Sequence, residues 1–126
     1  MKYFEKQSAL EAQNLSIITN GMKKALRTLD PAAFDDYIDG NYIQHNPMIA
    51  QGKAGLQAFM QAMKGAGAQP QELEILRASA SGDLVWVHCK LNLAGKNVVV
   101  VDIFKMQNGK AIEHWDVIQE IPSSTN

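Results

Sequence analysis

Two carboxylates and an imidazole interrupt a stretch that otherwise reads as valine- and isoleucine-rich strand: Asp102 in VVVVDIF, and His114 and Asp116 in EHWDVI. An apolar strand has no structural use for such groups. If they face inward, they serve a bound polar ligand or a reaction. His88, in VWVHCKL, is a fourth candidate. A carboxylate held in an apolar pocket is shifted toward neutral pH by desolvation and can take or give a proton there. A histidine within reach can steer a substrate oxygen or stabilise a developing oxyanion. The chemistry this supports is proton abstraction next to a carbonyl, or acid–base activation of water.

Whether these residues meet is decided by turn length. A two-residue Asn108-Gly109 loop would set Asp102 opposite Trp115. A three-residue Gln107-Asn108-Gly109 loop would set it opposite His114, with Val100 opposite Asp116 and Phe104 opposite Ile112. In the preceding hairpin, a three-residue loop Ala94-Gly95-Lys96 puts His88 opposite Asp102, whereas a two-residue loop puts it opposite Val101. We favour three-residue loops in both hairpins, because that register gathers His88, Asp102, His114 and Asp116 on one face beside Trp86 and Phe104. Each also has a structural reading: His88 as an exposed strand histidine, His114 and Asp116 on the solvent face of an edge strand, and Trp86 and Trp115 as core or interface residues.

The elements that would position these residues follow from periodicity. Residues 8–28 carry Leu15, Ile18, Met22 and Ala25 at three- and four-residue steps, continued by Leu29, and Ser8 with Glu11 forms a capping-box pattern. Asp30-Pro31 starts a short second helix carrying Phe34 and Tyr37 that stops near Gly40, and residues 53–64 make a third. Between them, Asn41–Asn46 is a short extended piece ended by Pro47. From Gln71 the period changes to that of strands, at 71–80, 84–93, 97–106 and 110–121. Helices followed by a strand meander give an α+β order, with helices packed on one side of a curved antiparallel sheet. The valine run needs both faces covered, and a second copy of the chain is expected to cover the outer one. The last residues, from Pro122, have nothing to hold them and are expected to fray.

Composition narrows the function classes. With 12 basic and 13 acidic residues interspersed among 126, no basic patch exists for nucleic acid or an anionic membrane. The one cysteine, Cys89, rules out an internal disulfide and a Cys-based zinc framework. There is no HExxH, no nucleophile elbow and no glycine-rich loop opening a helix, so neither a metal nor a nucleotide cofactor is expected. No secretory leader or membrane span is read from the chain, and a cytoplasmic location is expected.

The segments YIQHNPMIAQGKAGLQAFM (42–60), VWVHCKL (85–91) and VDIFKMQNGKAIEHWDVIQ (101–119) together resemble the SnoaL-like polyketide-cyclase proteins of the NTF2-like superfamily. The resemblance implies a cone-shaped α+β barrel, with three N-terminal helices packed on a strongly bent sheet, a deep pocket and a dimer. It further implies cofactor-free acid–base work on a small apolar or carbonyl-containing ligand, with Asp102 or Asp116 as base and His88 and His114 as partners. His45, in the HNP turn, would sit at the pocket rim, and Tyr42 at its mouth. The runner-up is a ligand-binding or scaffold dimer that uses the same pocket without turnover.

Overall fold

The computed structural model describes residues 7–122. The order is α1 (Ala9–Thr28), a short 3-10 helix (Pro31–Asp36), β1 (Ile38–Gln44), α2 (Gly52–Gly65), β2 (Glu74–Ser81), β3 (Leu84–Leu93), β4 (Lys96–Gln107) and β5 (Lys110–Glu120). The expected fraying after Pro122 falls on residues outside that range.

The capping box at α1 forms as its residues imply: Ser8 Oγ accepts the Glu11 N–H at 3.1 Å, and Glu11 Oε1 accepts the Ser8 N–H at 2.8 Å. Ile18, Ala25 and Leu29 are buried, so the helix turns its expected stripe inward. Asp30 caps the next segment through the Ala32 N–H, but that segment is 3-10 and ends at Asp36. The chain must straighten there, because Ile38 already pairs with Ala111.

The five strands form one bent sheet in the order β1-β5-β4-β3-β2. The four later strands are the expected antiparallel meander. β1 departs from the expectation of an all-antiparallel sheet, since it docks parallel to β5 at the edge. This edge is closed by a side chain that imitates a strand: Gln51 accepts the Gln44 N–H at 2.8 Å and donates to the Gln44 carbonyl at 2.7 Å.

One face of the sheet carries Val85, Val87, Cys89, Val98, Val100, Phe104 and Met106, all buried, and the helices pack against it. The other face leaves apolar side chains exposed, Trp86 at 41% and Val117 at 68%, among charged ones such as Lys90.

Candidate active site

The inner face of β4 and β5 is the wall of the site. Asp102 lies directly opposite Asp116, and Phe104 directly opposite His114. This pairing matches neither of the two registers anticipated from turn length. Asn108 and Gly109 form a two-residue turn with φ of 52° and 77°, closed by the Gln107–Lys110 pair. That turn alone would send Asp102 opposite Trp115. A bulge then adds one residue to β5: Lys105 pairs with Glu113 while Met106 pairs with Ala111, leaving Ile112 over. The extra residue restores the phase, and Asp102, His114 and Asp116 share the inner face.

No such correction occurs in the β3–β4 hairpin. Ala94 and Gly95 make a two-residue turn with φ of 53° and 82°, and the ladder runs on without interruption. His88 therefore stands opposite Val101 on the outer face, where its Nδ1 lies 2.7 Å from Arg77. Trp86, two residues earlier, faces outward with it. Both expectations for the pocket are corrected by the same missing residue in the turn.

His45 also belongs outside. Strand alternation sends Tyr42, Gln44 and Asn46 inward, all buried, and sends Ile43 and His45 out. His45 stacks on Trp115 with ring centroids 5.0 Å apart, and its Nε2 is 2.7 Å from Glu113. Tyr42, expected at the pocket mouth, is a fully buried core residue that also lines the cavity.

Within the wall, His114 Nε2 is 2.8 Å from Asp102 Oδ1 and 4.0 Å from Asp116 Oδ2. All three side chains are nearly enclosed, at 7%, 13% and 11% exposure respectively for His114, Asp102 and Asp116. Two residues that the chain's chemistry-bearing pattern did not mark complete the group. Gln44 Oε1 is 2.8 Å from His114 Nδ1, and Asn46 Nδ2 donates to both oxygens of Asp116 at 3.3 and 3.0 Å. The signal that could have found them is the alternation Tyr42-x-Gln44-x-Asn46 just before Pro47, which points three polar tips to one side.

Asp102 and Asp116 face a cavity of about 190 Å³ that is polar only at this end. Its other walls come from α1 (Met22, Leu26), α2 (Met60, Met63) and the β3–β4 hairpin (Leu91, Leu93). An engineered apolar cavity of about 150 Å³ accommodates benzene, so this one suits a single ring with short substituents.

Cys89 closes the back of the wall, with Sγ 3.9 Å from Asp102 Oδ2. Burial, then the Asp102 charge, then the contact with that carboxylate push its thiol from 9.0 up to about 12. The Tyr37 and Tyr42 hydroxyls are held above their usual 10.0, chiefly by burial and then by the charges of Asp102 and Asp116. All three are acids whose folded-state value exceeds the unfolded one. Their contribution is complete at low pH and is lost once the unfolded chain ionises first. Unfolding free energy should therefore fall above pH 9, Cys89 contributing about 1.4 kcal/mol per pH unit until its folded value is reached. Urea denaturation of Cys89→Ala checks this: the decline between pH 9 and 10, before the tyrosines enter, should flatten.

Asp102, His114 and Asp116 place one donor atom each within 4.8 Å of one another, close enough for a cation. Both imidazole nitrogens of His114 are engaged here, Nε2 with Asp102 and Nδ1 with Gln44.

Residues 20–114 match the SnoaL-like domain. No curated protein matches the chain. Among solved structures, a candidate SnoaL-like polyketide cyclase from Jannaschia sp. CCS1 superposes with a TM-score of 0.72 at 17% identity, covering 91% of each chain. TsrD from Streptomyces laurentii gives 0.70 at 20% identity, covering 90% of this chain and 92% of its own. An NTF2-like protein of unknown function from Burkholderia xenovorans LB400 gives 0.69 at 20% identity, covering 92% and 93%. At these identities the likeness is one of fold, the NTF2-like fold.

Proposed function

The chain belongs to the SnoaL-like domain family, and from that premise we propose that it is a small cofactor-independent acid–base enzyme. Its substrate is a carbonyl-containing or cyclic apolar molecule, and its reaction an isomerisation, cyclisation or hydrolysis. The observation that carries this reading is Asp102 set directly opposite Asp116 in an apolar wall, with His114 between them. Like charges at opposed strand positions are destabilising, and a purely structural ion pair for His114 needs only one carboxylate.

The roles follow from the partners. Asp102 is engaged by His114 and Cys89, whereas the hydrogen bonds that Asp116 accepts among the described residues come from the neutral amide of Asn46, with His114 Nε2 farther off at 4.0 Å, and it keeps lone pairs for the cavity. Asp116 is the base. It takes a proton from the carbon beside the carbonyl, the C–H electrons form the enolic double bond, and the carbonyl π pair moves to oxygen. The His114–Asp102 pair meets that oxygen and supplies its proton. The candidate polyketide cyclase of the same fold fits a carbonyl-rich cyclic substrate.

A general test needs no knowledge of the natural substrate. Small cyclic ketones in deuterated water should exchange their α-hydrogens faster with the protein than without it, as read by NMR. Exchange no faster than with Asp116→Asn, together with unimpaired ketone binding, would make the chain a binding module instead.

The reading includes a homodimer through the outer sheet face, where Ile43, Trp86 and Val117 are exposed. Val117→Arg should convert the dimer to monomer in sedimentation without unfolding it. An unchanged mass would remove that face from the interface.

A further inference from the structure

Two amides at the site have their orientation dictated by backbone donors. The Asn46 N–H can only donate, and it lies 2.9 Å from one end of the Gln44 amide, which must be Oε1. The Met48 N–H likewise meets Asn46 Oδ1 at 2.8 Å, which turns Asn46 Nδ2 to Asp116. Gln44 cannot turn over without setting its NH₂ against a backbone N–H. Its other end is occupied too, with Nε2 donating to the Tyr42 hydroxyl at 2.5 Å. Its backbone N–H and C=O are both held by the Gln51 side chain.

The consequence reaches His114. An oxygen 2.8 Å from Nδ1 requires a hydrogen on Nδ1. Nε2 then faces Asp102 Oδ1 at 2.8 Å, and two lone pairs cannot sit there together. One hydrogen must lie between them, on the imidazole or on the carboxyl. Had Gln44 presented its NH₂ group, His114 would carry a single hydrogen, on Nε2, and the site would hold one proton fewer. Counting charges with Asp116 as carboxylate, the group carries one negative charge in excess. Among the described residues no lysine or arginine lines the cavity to balance a second.

We propose that Gln44 loads the site with one transferable proton, held between His114 Nε2 and Asp102 Oδ1, and that the cavity therefore takes an uncharged ligand presenting an acceptor oxygen and rejects carboxylates. Gln44 is a positioning residue, because it acts through His114. The proposal names the substrate class of the acid–base reading above and rests on it, but its tests need no turnover.

The first test is long-range nitrogen–hydrogen NMR of the histidine rings near neutral pH. His114 should carry hydrogen at Nδ1 in the native protein. Gln44→Glu keeps an acceptor for both the Asn46 N–H and the ring, and should retain it. Gln44→Leu removes the acceptor and should leave the ring with a single hydrogen, on Nε2. A ring with bare Nδ1 in the native protein, or an unchanged ring in Gln44→Leu, overturns the assignment. If Gln44→Leu does not fold, the native protein and Gln44→Glu decide alone.

The second test is a matched pair of probes, cyclohexanecarboxamide and cyclohexanecarboxylate, titrated while following the His114 signals. The amide should bind at least about 100-fold more tightly, since a buried carboxylate without a cation is strongly disfavoured. Equal binding, or no response to either probe, overturns the ligand class. Because the ring signals and the probe affinities are read without catalysis, an inert enzyme with the expected tautomer would fault the catalytic reading and not this one.

Discussion

Asp116→Asn should lower α-hydrogen exchange by about 100- to 10,000-fold, the range of a lost general base, while the folded state keeps or gains stability. The side chains are isosteric, and the asparagine carbonyl can still accept from the Asn46 amide that now bonds both carboxylate oxygens. What disappears is the proton acceptor, and with it the like-charge opposition to Asp102 across the β4–β5 ladder. A site that gives up stability for activity predicts this pairing of effects. Asp102→Asn should act by a different route. It leaves a neutral amide at the 2.8 Å contact with His114 and removes the carboxylate that shares the proton there, so its loss of rate should come with altered His114 ring signals, which Asp116→Asn leaves in place. Native-like exchange in Asp116→Asn would move the base elsewhere.

Inserting one alanine between Ile112 and Glu113 should be more damaging than any single substitution in the wall. Ile112 is the unpaired residue of the bulge, and that single extra residue is what brings β5 into phase after the two-residue Asn108-Gly109 turn. With a second extra residue, everything in β5 beyond the insertion shifts by one position and changes face. Glu113, Trp115 and Val117 would be driven into the cavity, and His114 and Asp116 into solvent. Burying Glu113 without a partner and exposing the buried imidazole should lower the unfolding free energy by about 4 kcal/mol or more. Chemical denaturation measures this, and loss of probe-induced His114 shifts confirms the inversion. An insertion variant of native stability that still binds in the cavity would show that register is set by something other than the bulge.

These two effects explain what could be read from the chain and what could not. The helix stripe of Ile18, Ala25 and Leu29, the Ser8–Glu11 cap and the four later strands are written in local periodicity, and the structure contains them. Asp102, His114 and Asp116 were visible because carboxylates and imidazole are conspicuous among valines. Their register was not, for two physical reasons. Ala94 takes a left-handed conformation at φ 53° that alanine enters only at some strain, so nothing in the sequence marks a two-residue turn there, and the three-residue reading sends His88 to the wrong face. Ile112 carries no glycine or proline to announce a bulge. Gln44 and Asn46 are ordinary amides in the sequence, and His45 between them is the more obvious chemical residue. Their partners lie 70 residues away on β5, reached only when β1 docks in parallel. That distance cannot be read from spacing.

The placement of the two tryptophans has a practical consequence. Trp86 lies on the outer face and Trp115 lies there too, stacked on His45, while the aromatic walls of the cavity are phenylalanine and tyrosine. The chain's ultraviolet emission is thus a gauge of its exterior. Changes in colour or anisotropy should accompany events on the sheet's outer surface and stay almost silent when the cavity fills. One cuvette can then separate the two kinds of event, with fluorescence following the outside and the His114 ring following the inside.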